Sequence, residues 1–114
     1  RAVIYAKAEK WDFCVEIGSA LVRIAPERPS GWLKRSHALH QLGKTQDAYD
    51  QLKPAQERFK DEWMPLYDLA CYACVLGNIT EARELIEAAI ELGGSAVKLR
   101  ALEDQELVRV WAGV

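Results

Sequence analysis

Two pairs of side chains could do chemistry in this 114-residue chain, His37-x-x-His40 and Cys71-x-x-Cys74. Imidazole nitrogen and thiolate sulfur are the donors of tetrahedral zinc sites, and a spacing of three places both members of a pair on one side of a helix. One shift of 34 residues lays His37 on Cys71 and His40 on Cys74, so the pairs would face each other from neighbouring helices. Packed helix axes lie about 8–10 Å apart, which only just lets imidazole and thiolate share an ion at about 2.0 and 2.3 Å. The simpler expectation is that Cys71 and Cys74 are small residues lining a groove, with no metal bound. A redox Cys-x-x-Cys site is disfavoured, because such a pair uses a helix N-terminus to lower the thiol pKa, whereas these two fall in mid-helix. No Ser-His-Asp set, phosphate-cradling glycine loop or pair of pocket carboxylates can be assembled. Glu81, Glu84, Glu87 and Glu91 with Arg83 read as a solvated helix face. The chain is expected to be no enzyme and to carry no cofactor.

The elements that would position these residues are helices. Residues 1–8 read as the tail of one helix. From 11 to 24, Trp11, Cys14, Val15, Ile17, Leu21, Val22 and Ile24 recur at spacings of three and four, which predicts a second helix stopped by Pro26 and Pro29. Ser30 is placed to cap a helix over 31–42, and Gly43 to end it in the left-handed conformation. A partner helix over 45–59 turns Ala48, Leu52, Ala55 and Phe59 to one side, with Pro54 expected to kink it. The next helix opens at 61 or 64, with Pro65 in its first turn, and closes at Gly77. Asn78 and Glu81 have the spacing of a reciprocal cap for a helix over 79–92, which Gly93-Gly94 stops. A tail helix over 95–102 and a short one over 104–111 complete the chain.

Composition excludes several classes of function. Half the residues are hydrophobic and 28% are charged, so the chain folds around a core and forms one domain by length. A net charge of -2 with interspersed signs leaves no basic face for nucleic acid, and no apolar run reaches the ~20 residues of a membrane span. Three cysteines, an odd number without the density of a disulfide scaffold, point to free thiols and a cytoplasmic location. A chain opening on Arg1 reads as a processed or excised piece.

The 34-residue shift runs further. Leu42 falls on Leu76, Gly43 on Gly77, Leu52 on Ile86, and the small residues Ala2, Ser36 and Ala70 align, as do Cys14, Ala48 and Ala82. Close helix packing needs small residues where axes approach. This plan resembles the tetratricopeptide repeat. Trp32, Leu39, Gly43, Ala48, Leu52 and Ala55 carry the resemblance in one copy, and Leu66, Leu69, Ala70, Gly77, Ala82, Ile86 and Ala89 in the next. Arg35 departs from it where Leu is usual, as do Lys60 and Gly94 where Pro is usual, while Pro26 keeps that position in the first copy. The resemblance implies an all-α, right-handed superhelix of antiparallel helix pairs with about two and a half repeats. They would be a partial repeat over 1–28, full repeats over 29–62 and 63–96, and a C-terminal cap over 97–114.

It also implies a function. The first helix of each pair would build a concave wall that binds a peptide or helix of a partner protein, making the chain a scaffold or adaptor. Carried over position by position, the groove residues are Leu33, His37, His40 and Gln41 in one repeat and Met64, Tyr67, Cys71 and Cys74 in the next. Ser30 and Val75 flank them, and Val3, Ala6, Lys7, Lys98 and Ala101 would extend the wall. The lysine-asparagine-arginine clamp with which one subclass grips chaperone carboxylates has no match, with Lys34, Met64 and Asp68 at the relevant positions. Self-association through the first half repeat, or through Trp63 and Trp111, is the alternative, and a metal site at His37, His40, Cys71 and Cys74 a lesser one.

Overall fold

The computed structural model describes residues 2–112, with side chains from Ala8 onward. Every regular element among them is helical: α1 (Ala2–Ile24), α2 (Pro29–Gln41), α3 (Thr45–Arg58), α4 (Trp63–Val75), α5 (Ile79–Gly93), α6 (Ser95–Glu103), a 3-10 turn (Gln105–Leu107) and α7 (Val108–Trp111). The helices pack as sequence neighbours, α1 on α2, α2 on α3, α4 on α5 and α5 on α6. Two compact units result, Arg1–Arg58 and Phe59–Val114. No described helix is long and apolar enough to cross a membrane.

In the first unit the two segments expected over 1–8 and 11–24 are one uninterrupted helix. The 34-residue register explains this, because the turn glycines Gly43 and Gly77 align with Glu9, which sits among helix-favouring Lys7, Ala8 and Lys10. Position 18 is equally telling. It aligns with the buried Leu52 and Ile86 yet holds glycine, and a Cβ there would lie 2.7 Å from the Arg35 backbone nitrogen. α1 and α2 therefore touch backbone to backbone. Pro29 opens α2 instead of only ending what precedes it, since the first helical position has no use for its missing N–H. Ser30 consequently lies inside the helix, Arg28 takes the cap position, and no side chain caps it.

Arg35, the departure from the leucine of the repeat pattern, spans α2 and α3. Its Nη2 donates to the Gln51 carbonyl at 3.1 Å and its guanidinium lies 5.4 Å from the Trp32 ring centroid. Burial lowers its pKa from the usual arginine value. α3 continues through Pro54 to Arg58.

In the second unit Pro65 sits in the first turn of α4, and α5 starts after Asn78 as its position predicts, although the Asn78 side chain makes no capping bond. Asp104 does cap: its Oδ1 accepts from the Glu106 backbone N–H at 3.0 Å and so starts the 3-10 turn. Arg83 is not on a solvated face. Its Nη2 donates to the Val110 carbonyl at 2.7 Å, tying α7 to α5, while Glu84, Glu87 and Glu91 are exposed as expected. Trp111 donates from Nε1 to the Ala101 carbonyl at 3.1 Å and is half-buried, as is Trp63.

Each unit holds the same helix ending. Gly43 and Gly77 have φ of 79° and 91°, conformations open to glycine without a Cβ penalty. Around Gly43, Lys44 N–H donates to Leu39 O at 2.9 Å and Gly43 N–H to His40 O at 2.9 Å. Around Gly77, Asn78 N–H donates to Ala73 O at 2.8 Å and Gly77 N–H to Cys74 O at 3.1 Å. These are the paired bonds of a Schellman ending, repeated at the 34-residue shift. Burial repeats with them: Ala48 and Ala82, Leu52 and Ile86, and Ala55 and Ala89 are all fully buried. Truncating either Leu52 or Ile86 to alanine would cost about 2–5 kcal/mol.

Candidate functional site

The residues singled out in the sequence fall into two environments. In the first unit, α2 presents Leu33, His37, His40 and Gln41 along one side, with His37 and Gln41 exposed and Leu33 and His40 half-buried. Spacings of four, three and one put them within one helical face. His37 lies edge-on to Trp11 of α1, with ring centroids 5.5 Å apart, so a neighbouring helix orients its imidazole. His40 Nδ1 is 2.9 Å from Thr45 Oγ1, across the turn that ends α2. Ser30 is exposed beside them. Val3, Ala6 and Lys7, expected to extend this surface, have side chains outside the described residues.

The second unit departs from expectation. Tyr67, Cys71 and Cys74 do share one face of α4, but they are 1%, 5% and 1% exposed and do not line an open wall. The C-terminal segment reaches Tyr67 and Cys71 through Asp104, and the 3-10 turn packs on α4. Tyr67 Oη donates to Asp104 Oδ2 at 2.7 Å, and Cys71 Sγ approaches the same oxygen at 3.9 Å. Trp63 meets the Tyr67 ring edge-on at 5.8 Å, and the Arg100 guanidinium lies 4.9 Å from the Tyr67 centroid. Met64 and Val75 remain open at 42% and 45% exposure. Of the tail positions expected on the wall, Lys98 is exposed and Ala101 is buried.

The electrostatics follow from this covering. Burial first, then the hydrogen bond and charge of Asp104, raise the Tyr67 phenol above its usual value. Burial, followed by the fields of Asp104, Asp68 and Glu106, likewise pushes the Cys71 thiol up, so it stays protonated at neutral pH. All three cysteines carry free thiols, and Cys14, expected in the core, is half-buried. Beside the covered face, Ala96, Leu99, Arg100, Glu103 and Asp104 line an open depression of about 420 Å³.

Sequence reasoning missed Asp104 and Glu106. An aspartate before a short helical run signals a cap, and that much was legible. Nothing in the local pattern announces that its second oxygen reaches a tyrosine 37 positions earlier. A comparison with known proteins found no family model that matches the chain and no curated protein that matches it.

Proposed function

We propose that this chain is a non-catalytic interaction module of the tetratricopeptide type, a scaffold that holds a peptide or helix of a partner protein. In the first unit the contacts are Leu33, His37, His40 and Gln41 on α2; in the second, Met64 on α4 is exposed. Tyr67 and Cys71, which meet Asp104 of the C-terminal segment, and the buried Cys74 support α4 from within. The observation that carries this reading is the accessible face of α2, which mixes an aliphatic side chain, two imidazoles and an amide without a catalytic set. The duplicated Schellman endings and matched buried alanines support the repeat architecture. Free thiols suit a reducing compartment, the cytoplasm.

A displayed-peptide selection on the wild-type chain tests the surface. Enriched peptides should bind at least tenfold more weakly to His37→Ala and Gln41→Arg variants whose helical circular dichroism is unchanged. Equal binding to wild type and both variants would remove α2 as the contact surface.

A second reading is favoured by one observation. Phe13, Ile17 and Ile24 on α1 are 61%, 36% and 78% exposed and recur at helical spacing, an apolar stripe suited to self-association. Sedimentation velocity decides it: a dimer that grows with concentration and vanishes in Phe13→Lys supports self-association, and a monomer at every concentration removes it.

A further inference from the structure

Cys71 Sγ on α4 and one carboxylate oxygen each from Asp104 and Glu106 lie within 4.8 Å of one another. Cys71 is buried, Asp104 half-buried and Glu106 exposed, so the cluster has a closed floor and an open rim. Asp104 is held from both oxygens, Oδ2 by the Tyr67 hydroxyl at 2.7 Å and Oδ1 by the Glu106 N–H at 3.0 Å. Outer partners of this kind orient a ligating carboxylate. Two carboxylates drawn towards one thiol at a partly desolvated place repel each other, and a cation turns that repulsion into attraction.

We infer that Cys71, Asp104 and Glu106 bind a divalent cation of the borderline-soft class, such as zinc or cobalt(II), with water completing a four-coordinate shell. The donor set selects the class, since one sulfur with two oxygens suits zinc and its neighbours, whereas calcium and magnesium take all-oxygen shells. An ion at about 2.3 Å from sulfur and about 2.0–2.2 Å from oxygen needs donors roughly 3.3–3.6 Å apart. A separation of 4.8 Å therefore closes with about 1 Å of side-chain movement. The exposed Glu106 can supply most of it. On binding, the Cys71 S–H bond breaks, its proton leaves to solvent and the sulfur lone pair goes to the cation, with no change of oxidation state. The ion then offsets the charge of the thiolate and both carboxylates. This site shares only Cys71 and not the histidines with the zinc set read from the sequence, and it does not depend on partner binding.

Titrating the full chain with cobalt(II) at neutral pH tests it. We expect a sulfur-to-cobalt charge-transfer band that saturates at one equivalent, releases one proton and is displaced by zinc. Cys71→Ala should abolish the band and Cys74→Ala should retain it. Glu106→Gln should weaken cobalt binding at least tenfold while the helical circular dichroism of the metal-free protein stays as in wild type. The site is overturned if wild type gives no band, if the band survives Cys71→Ala, or if Glu106→Gln binds cobalt as wild type does. Should Cys71→Ala not fold, the Glu106→Gln affinity decides alone.

Discussion

The Tyr67 hydroxyl donates to Asp104 Oδ2 across 2.7 Å, and through this bond the C-terminal segment is fastened onto α4. Asp104 thereby serves two elements at once, since its other oxygen starts the 3-10 turn that carries the fully buried Leu107. Tyr67→Phe removes one donor and leaves the carboxylate without it. We expect a loss of about 1–2 kcal/mol, read as a lower urea midpoint at unchanged slope. In a double-mutant cycle with Asp104→Asn the two effects should be non-additive, and strict additivity would refute the coupling.

The two Schellman endings make a matched pair of predictions. Gly43→Ala and Gly77→Ala each force a Cβ into left-handed backbone, at about 1–2 kcal/mol apiece. Open space surrounds both positions, so the cost is conformational and the two values should agree. Chemical denaturation of the single variants measures them. A negligible cost at one site would show that its helix ending relaxes.

Gly18 fails for a different reason. A Cβ at this position meets Arg35 backbone atoms at 2.7–2.8 Å, and backbone cannot rotate away. Gly18→Ala should therefore destabilise the chain by about 1–3 kcal/mol through overpacking, although alanine is the better helix former. A rise in melting temperature on this substitution would contradict the close approach of α1 and α2.

Alkaline pH should unfold the second unit's covered face. Tyr67 and Cys71 have pKa values raised above their ordinary 10.0 and 9.0. A raised acid lends stability that is complete below its ordinary pKa and is lost as pH climbs from there through the folded value. The melting temperature should be level through neutral pH and fall from about pH 9 upward, first through Cys71 and then through Tyr67. Cys71→Ala should delay the onset of that fall. The raised thiol should also make Cys71 slower to alkylate than the half-buried Cys14.

Most of the helical layout was legible because it is written locally. Gly43 and Gly77 end helices through their own φ values, Pro65 stands where its missing N–H is harmless, and the buried alanines repeat at the shift that superposes the turns. Even the fusion of the first two segments into α1 had a local sign, the absence of a glycine at Glu9. The candidate site was legible only in part. On α2, His37 and Gln41 are exposed and Leu33 and His40 half-buried, whereas Tyr67, Cys71 and Cys74 share one face of α4 but are buried.

By itself the sequence determined an all-helical chain with an internal shift of 34 residues, because helix propensity, turn glycines and apolar spacing act over a few neighbouring positions. Only the tertiary structure decided which surface of α4 stays open. That outcome rests on Asp104 meeting Tyr67 and Cys71, and on Arg83 meeting the Val110 carbonyl. Such contacts join positions 27 to 37 residues apart, and no local periodicity records how a chain that has passed one helix turns back to cover it.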